Sequence, residues 1–574
     1  MTTFLGLGVQ THDPWQWLFV ATALGVAGAI ALSWLVGPRP RWAEAGLAIG
    51  FWSVSTALVG FMWDVAWHAD TGRDRELLTV PHTLILLGLF GILVAALVAV
   101  LLASHDRAET GWRRGRLRVP YSALPLAAIG VGALVGFPLD DRWHATYGVD
   151  VTMWSPTHLL MIGGASLAPI ALWLMAAEGQ VRRSVLLNGG AVLIGLSTFQ
   201  LEFDMAIPQW QLLFHPVLVA AAAAIGLTAA RAAIGRGGAL LAAVGFLAIR
   251  ALMLLLVGVA FGYTWPRFPL YLGAAVAVEL AFAATAKRSP ILRGTAAGLG
   301  AGTFGLATEW AWNRLWYPMP WGGSVLPHIW MAVLVAVAGG VIGVALGRVL
   351  AGRRPGVPAA ALLLSLLAIG VLLALHLPAR HADGAQGTLA LNGTTLTVTL
   401  SPADAAAGSD WFAVLSWQGH APVARHPLRE VAPGRYEATG VETGGAWKSM
   451  VFLARGDTME GIPIYMPADP AYRQPAIYAT TEPQPFVPSP QLLMREAHGG
   501  APTVLYLASA SFLAMIGIWV ASLLLACRAY AAQAGVAAES KASPLVTWRG
   551  GPAAGEAEGE GAAAPPPARP TVQS

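Results

Sequence analysis

Long apolar runs broken by short polar loops restrict the fold of this chain more than any other feature. A helix needs about 20 apolar residues to cross the hydrocarbon of a bilayer. Runs of that length recur from residue 15 to residue 377 and again at 502–528. Charged residues make up 11% of the 574, against about 25% in a soluble globular chain. The spacing predicts about thirteen membrane helices, over 15–36, 44–66, 80–104, 120–138, 156–177, 185–203, 211–231, 238–262, 268–286, 294–312, 326–348, 357–377 and 502–528. Basic clusters at Arg39/Arg41, Arg113–Arg118, Arg182/Arg183, Arg231/Arg236, Lys287/Arg288 and Arg348–Arg354 all fall on one side of that count. The positive-inside rule makes that side cytoplasmic. It places the N-terminus outside and the C-terminal end inside a multi-pass cell-membrane protein.

The net charge of +4 is spread over those loops, which suits membrane topology and not nucleic-acid binding. The one cysteine, Cys527, excludes an intramolecular disulfide, a Cys-x-x-Cys-His haem attachment and a cysteine-built iron–sulfur cluster. The first residues lack a basic n-region, so no cleaved signal peptide is expected. Over 378–500 the apolar runs give way to short strand-like pieces, TLTVTL, WFAVLSW, RYEATG and WKSMVFLA, parted by turn signals. The expected organisation is an all-α membrane bundle over 1–377, an extracytoplasmic all-β sandwich over 378–500, a final transmembrane helix over 501–530 and a disordered cytoplasmic tail over 531–574.

Within the bundle one pattern occurs twice, 76 residues apart. WDVAWHADTGRDRELLTVPH holds Asp64, His68 and His82, and LDDRWHATYGVDVTMWSPTH holds Asp140, His144 and His158. Asp and first His are i and i+4, on one helical face; the second His opens the returning helix. A helical hairpin then gathers three ligands twice. Carboxylate plus imidazole suits copper, zinc or iron and disfavours magnesium and calcium, which take oxygen ligands. Asp74 and Asp150 are placed to orient a ligand imidazole. Met62, Met153 and Met205 lie nearby as soft donors, although lipid-facing or core packing explains them as well. Trp67, Trp143 and Trp312 hold one place in three repeats, where they either wall the metal pocket or, the favoured reading, pack the hairpin, within a wider interfacial belt that includes Trp210. Two weaker echoes carry Glu202 with His215, and Glu309 with His328. His376 and His381 open the β region, where solvated linker histidines are expected.

The same residues resemble the C subunit of the particulate methane and ammonia monooxygenases. That subunit carries Asp, Trp-His, Arg-Asp and Pro-Ser-His in this order at a helix end. Here Asp64, Trp67-His68, Arg73-Asp74 and His82 stand in that order, and Asp140, Trp143-His144, Asp150 and Pro156-Thr157-His158 follow it again. This chain has two such segments where the family has one. The resemblance implies copper held by Asp64, His68 and His82, and by Asp140, His144 and His158. It implies a copper-dependent membrane oxidoreductase of monooxygenase type, acting on a small apolar substrate with O2. Two other classes remain open: a copper- or zinc-handling or transport protein, and an accessory subunit of a larger membrane complex. Helices expected over 80–104, 156–177 and 326–348 carry almost no polar residues in their central and inner halves, which argues against a transport path along them.

Overall fold

A computed structural model describes residues 2–4, 7–9, 14–72, 78–148, 153–182, 185–209, 211–374, 384–455, 458–497 and 501–542. The protein is mostly helical, with a separate all-β region of antiparallel sheets. Among the described residues, nine helices are long and apolar enough to cross a membrane: Trp17–Val36, Trp42–Thr71, Val80–His105, Ala123–Tyr147, Pro156–Glu178, Phe214–Ile234, Gly238–Ala260, Trp330–Leu350 and Pro502–Ala534. Their apolar composition suits a lipid bilayer. The other four expected spans fall on shorter or interrupted helices. Val185–Ser197 and Leu272–Ala284 have 13 residues each, and Ala359–Ala374 has 16. The fourth passes from Pro290–Gly300 through a wider-wound stretch, Ala301–Gly305, into Leu306–Trp316.

Two helical hairpins position the repeated motif. Trp42–Thr71 packs on Val80–His105, and Ala123–Tyr147 packs on Pro156–Glu178. Small residues set how close each pair comes. A Cβ added at Gly60 would lie 2.7 Å from the Pro81 carbonyl oxygen, and one at Gly136 would lie 2.9 Å from Cγ of Met161. These glycines sit one helical turn before Asp64 and Asp140, so each hairpin packs closely beside its carboxylate.

The β region contains the four expected strands, at Thr395–Ser401, Trp411–Trp417, Arg435–Ala438 and Lys448–Arg455. Its central strands follow an alternating pattern, with Leu396, Val398 and Leu400 turned inward. They share one core with Val414, Val451, Leu453 and Ile462 of the second sheet. The expected linker histidines His376 and His381 lie outside the described residues, as does the expected tail from 543 onward. The last helix extends to Ala542, beyond the boundary at 530 that the sequence suggests.

Candidate metal centre

Each triad is built by the end of one helix and the start of the next. Asp64 and His68 occupy the last two turns of Trp42–Thr71, one turn apart on the same face. That helix stops at Gly72, whose φ of +84° suits a residue without Cβ and whose N–H bonds to the His68 carbonyl. Gly148 ends Ala123–Tyr147 in the same way, with φ +87° and its N–H on the His144 carbonyl. The returning helices are capped alike. The Thr79 side chain accepts the backbone N–H of His82, and the Ser155 side chain accepts that of His158, with a proline in the first turn each time. The capped turn holds the second histidine at the third helical position, facing its Asp.

Oδ1 of Asp64 lies 3.5 Å from Nε2 of His68 and 3.2 Å from Nε2 of His82. Oδ2 of Asp140 lies 3.5 Å from Nε2 of His144 and 3.2 Å from Nε2 of His158. The ligand atoms of each triad all fall within 4.8 Å of one another. Donors about 2.0–2.1 Å from one tetrahedral ion stand roughly 3.3 Å apart, so the spacing fits.

Proton positions sharpen the case for the first triad. Nδ1 of His68 lies 3.1 Å from the Gly72 carbonyl oxygen, which can only accept, so Nδ1 carries the hydrogen. In the neutral ring Nε2 then presents a lone pair toward Asp64. Oδ1 of Asp64 is buried and faces Nε2 of both histidines. A carboxylate oxygen and an imidazole lone pair brought together in this way are stabilised by a shared cation. In the second triad Thr157 donates to Oδ1 of Asp140 at 2.6 Å, fixing the carboxylate with its other oxygen toward the histidines. Asp74 and Asp150, the expected orienting carboxylates, lie outside the described residues.

Both triads line one cavity of about 1270 Å³. Glu202, one of the weaker candidates, is part of its wall, but its carboxylate accepts the N–H groups of Met153 and Trp154. The remaining three weaker candidates are not assembled into a three-ligand group among the described residues. Glu309 caps the backbone, accepting from Leu270 N at 3.0 Å and Tyr271 N at 2.5 Å. His215 takes the Trp321 indole N–H on Nδ1 at 3.0 Å. Of the soft donors, Met153 lines the cavity, while Met62 and Met205 pack in the adjoining core.

The β region sits directly on the first hairpin. Gln418 N bonds to the Ala69 carbonyl at 3.1 Å, and His420 N to that of Asp70 at 2.8 Å. The Gln418 side chain reaches the His68 carbonyl at 3.4 Å. The Asp70 carboxylate takes both N–H and O–H of Thr264, whose hydroxyl oxygen accepts from Val423 N. Arg425 crosses to the carbonyls of Met205 and Ala206. Burial, then the neighbouring Arg267, brings its pKa down to about 9, with Asp70 opposing, so it is still a cation at neutral pH. Trp417, Gln418 and Tyr472 of this region complete the cavity wall. Sequence reasoning missed these residues because the contact joins segments about 350 positions apart. It also missed the Gly60/Gly136 and Thr79/Ser155 pairs, which recur at the same 76-residue offset and were visible as such, whereas Gly72 and Gly148 belong to the repeated pattern itself.

No family model, curated protein or solved structure matches this chain.

Proposed function

We propose that this protein is a metal-dependent membrane oxidoreductase that holds copper at Asp64, His68 and His82 and again at Asp140, His144 and His158. The observation that carries the proposal is that two Asp-His-His groups with ligand spacing open onto one cavity with a largely apolar wall. Zinc or iron suits the same donors; the resemblance to the monooxygenase C subunit favours copper. Bound copper would supply the redox couple that lets O2 react with an unactivated C–H bond. The reaction class is monooxygenation: one oxygen atom enters the substrate, and the other leaves as water using two electrons and two protons from an external reductant.

The chain's own residues perform distinct tasks in this reading. Asp64 and Asp140 supply the negative charge that balances the cation. The Gly72 carbonyl holds His68 in the ligating tautomer, and Thr157 fixes the Asp140 carboxylate. Phe51, Leu58, Phe61 and Phe137 exclude water and give an apolar substrate its site. We place the triads and the β region, a two-sheet sandwich, on the extracytoplasmic side of thirteen spans, with the basic loops in the cytoplasm.

Elemental analysis of the purified protein, joined to electron paramagnetic resonance, tests the core of the proposal. About one to two metals per chain are expected, with copper signals showing nitrogen coupling. A folded protein that takes up no metal from a copper, zinc or iron solution would refute it. Labelling of a cysteine introduced at the exposed Thr146 tests the orientation, with reaction from outside the cell expected.

A further inference from the structure

The cavity extends far beyond the two triads. On the Trp42–Thr71 helix its wall runs through Phe51, Ser55, Leu58, Phe61, Val65 and His68, a stripe at three- and four-residue steps. At 1.5 Å per residue that stripe is about 26 Å long. On the Pro156–Glu178 helix the wall runs from His158 to Pro169, about 16 Å. One leaflet of hydrocarbon is about 15 Å deep, half of the bilayer core. The cavity therefore starts at the helix ends and descends through at least a leaflet's depth.

Polarity changes along that length. The two triads, with Glu202, Gln209 and Gln418, crowd the end beneath the β region. Away from them the wall is made chiefly of Phe51, Val54, Leu58, Leu89, Ala165 and Pro169. The cavity volume of about 1270 Å³ also exceeds the roughly 300–1,000 Å³ of ordinary small-molecule pockets. A gas-sized substrate would fill a small part of it.

The flank offers a way in. Leu187 of Val185–Ser197 is 63% exposed, and Leu252 of Gly238–Met253 is 58% exposed. Both belong to the cavity wall. Leu252 lies on Gly238–Ala260, one of the nine helices apolar enough to cross a membrane, and Leu187 on the shorter apolar helix Val185–Ser197.

From this shape we infer that the cavity binds an amphiphile of the bilayer. Its occupant carries a long acyl chain that enters sideways and lies along the Phe51–Leu58 stripe. An oxygen-bearing head is set between the two triads. This assignment deepens the oxidoreductase reading by naming the substrate class, and its chain-binding half stands without metal. A free fatty acid and a phospholipid share this chemistry.

The test uses the full chain in detergent micelles, with stearic acid bearing a nitroxide either beside the carboxyl group or at the methyl end. Saturable, immobilised binding is expected, displaced by unlabelled stearic acid. Leu58→Trp and Ala165→Trp should each weaken it about tenfold while metal content stays unchanged. Copper loading should broaden the signal of the head label far more than that of the methyl-end label. Lipid analysis of the purified protein would show whether a fatty acid or a phospholipid accompanies it. Absence of saturable binding, or equal binding by wild type and both tryptophan variants, overturns the inference. Wild-type protein that binds the acyl chain but takes up no metal would refute the oxidoreductase reading and leave the chain-binding half standing.

Discussion

His68 and His215 make an instructive pair. Each sits near a helix end with an aspartate close by, yet their surroundings assign them opposite chemistry. His68 donates from Nδ1 to the Gly72 carbonyl and points Nε2 at Asp64, 3.5 Å away. His215 accepts the Trp321 N–H on Nδ1, so in the neutral ring its hydrogen is on Nε2, 4.0 Å from Asp204. Its lone pair is already taken. Asp204 meanwhile has a cation of its own, since Arg250 Nη2 bonds Oδ2 at 2.7 Å and Tyr317 donates to Oδ1 at 2.8 Å. The guanidinium stands where a metal would be needed. The difference is that at His68 the far ring nitrogen has an acceptor and no Lys or Arg side chain bonds the neighbouring carboxylate among the described residues, the arrangement a metal ligand pair would need.

Substitutions can break this comparison at either end. Arg250→Ala should have the largest effect on stability, about 3–5 kcal/mol, because it strands a buried carboxylate; metal content should not change. Thermal unfolding in detergent, run beside elemental analysis, checks both halves, and a fall in metal would erase the distinction drawn here. His68→Ala should show the reverse pattern. One metal equivalent per chain is lost or weakened, with a stability change in the metal-free protein below that of Arg250→Ala. Thr157→Val removes the bond to Oδ1 of Asp140 and touches only the second triad. It should lower metal affinity there by roughly 10-fold, the lower end for loss of an outer partner, and competition with a chelator would measure it. The smallest effect is expected of Thr79→Ala, which removes the cap that holds His82. It should cost about 1 kcal/mol of stability and a slight loss of affinity at the first triad alone; loss at the second triad would show that the hairpins are not independent.

Much of this architecture is legible in the chain. The apolar runs mark the helices, because hydrocarbon tolerates few unpaired polar groups. The nine long spans fall close to their expected positions. Alternating residues mark the strands of the β region. Both triads are readable as well, since helix periodicity brings Asp and His together four residues apart and a short loop returns the partner. The weaker pairs, Glu202 with His215 and Glu309 with His328, show where local reading stops. Composition offered the same residue types, while Trp321, the backbone of Leu270 and Tyr271, and Arg250 came from distant segments.

The sequence by itself determined the membrane helices, the β region and the two Asp-His-His groups, because each follows from periodicity and spacing within a few turns. Only the tertiary structure decided that both groups face one cavity and that Gln418 and His420 lie on the first. It also decided that Arg250 fills the place of a cation beside Asp204. Those outcomes depend on which helices pack side by side, a choice made by side-chain fit between segments far apart in the chain.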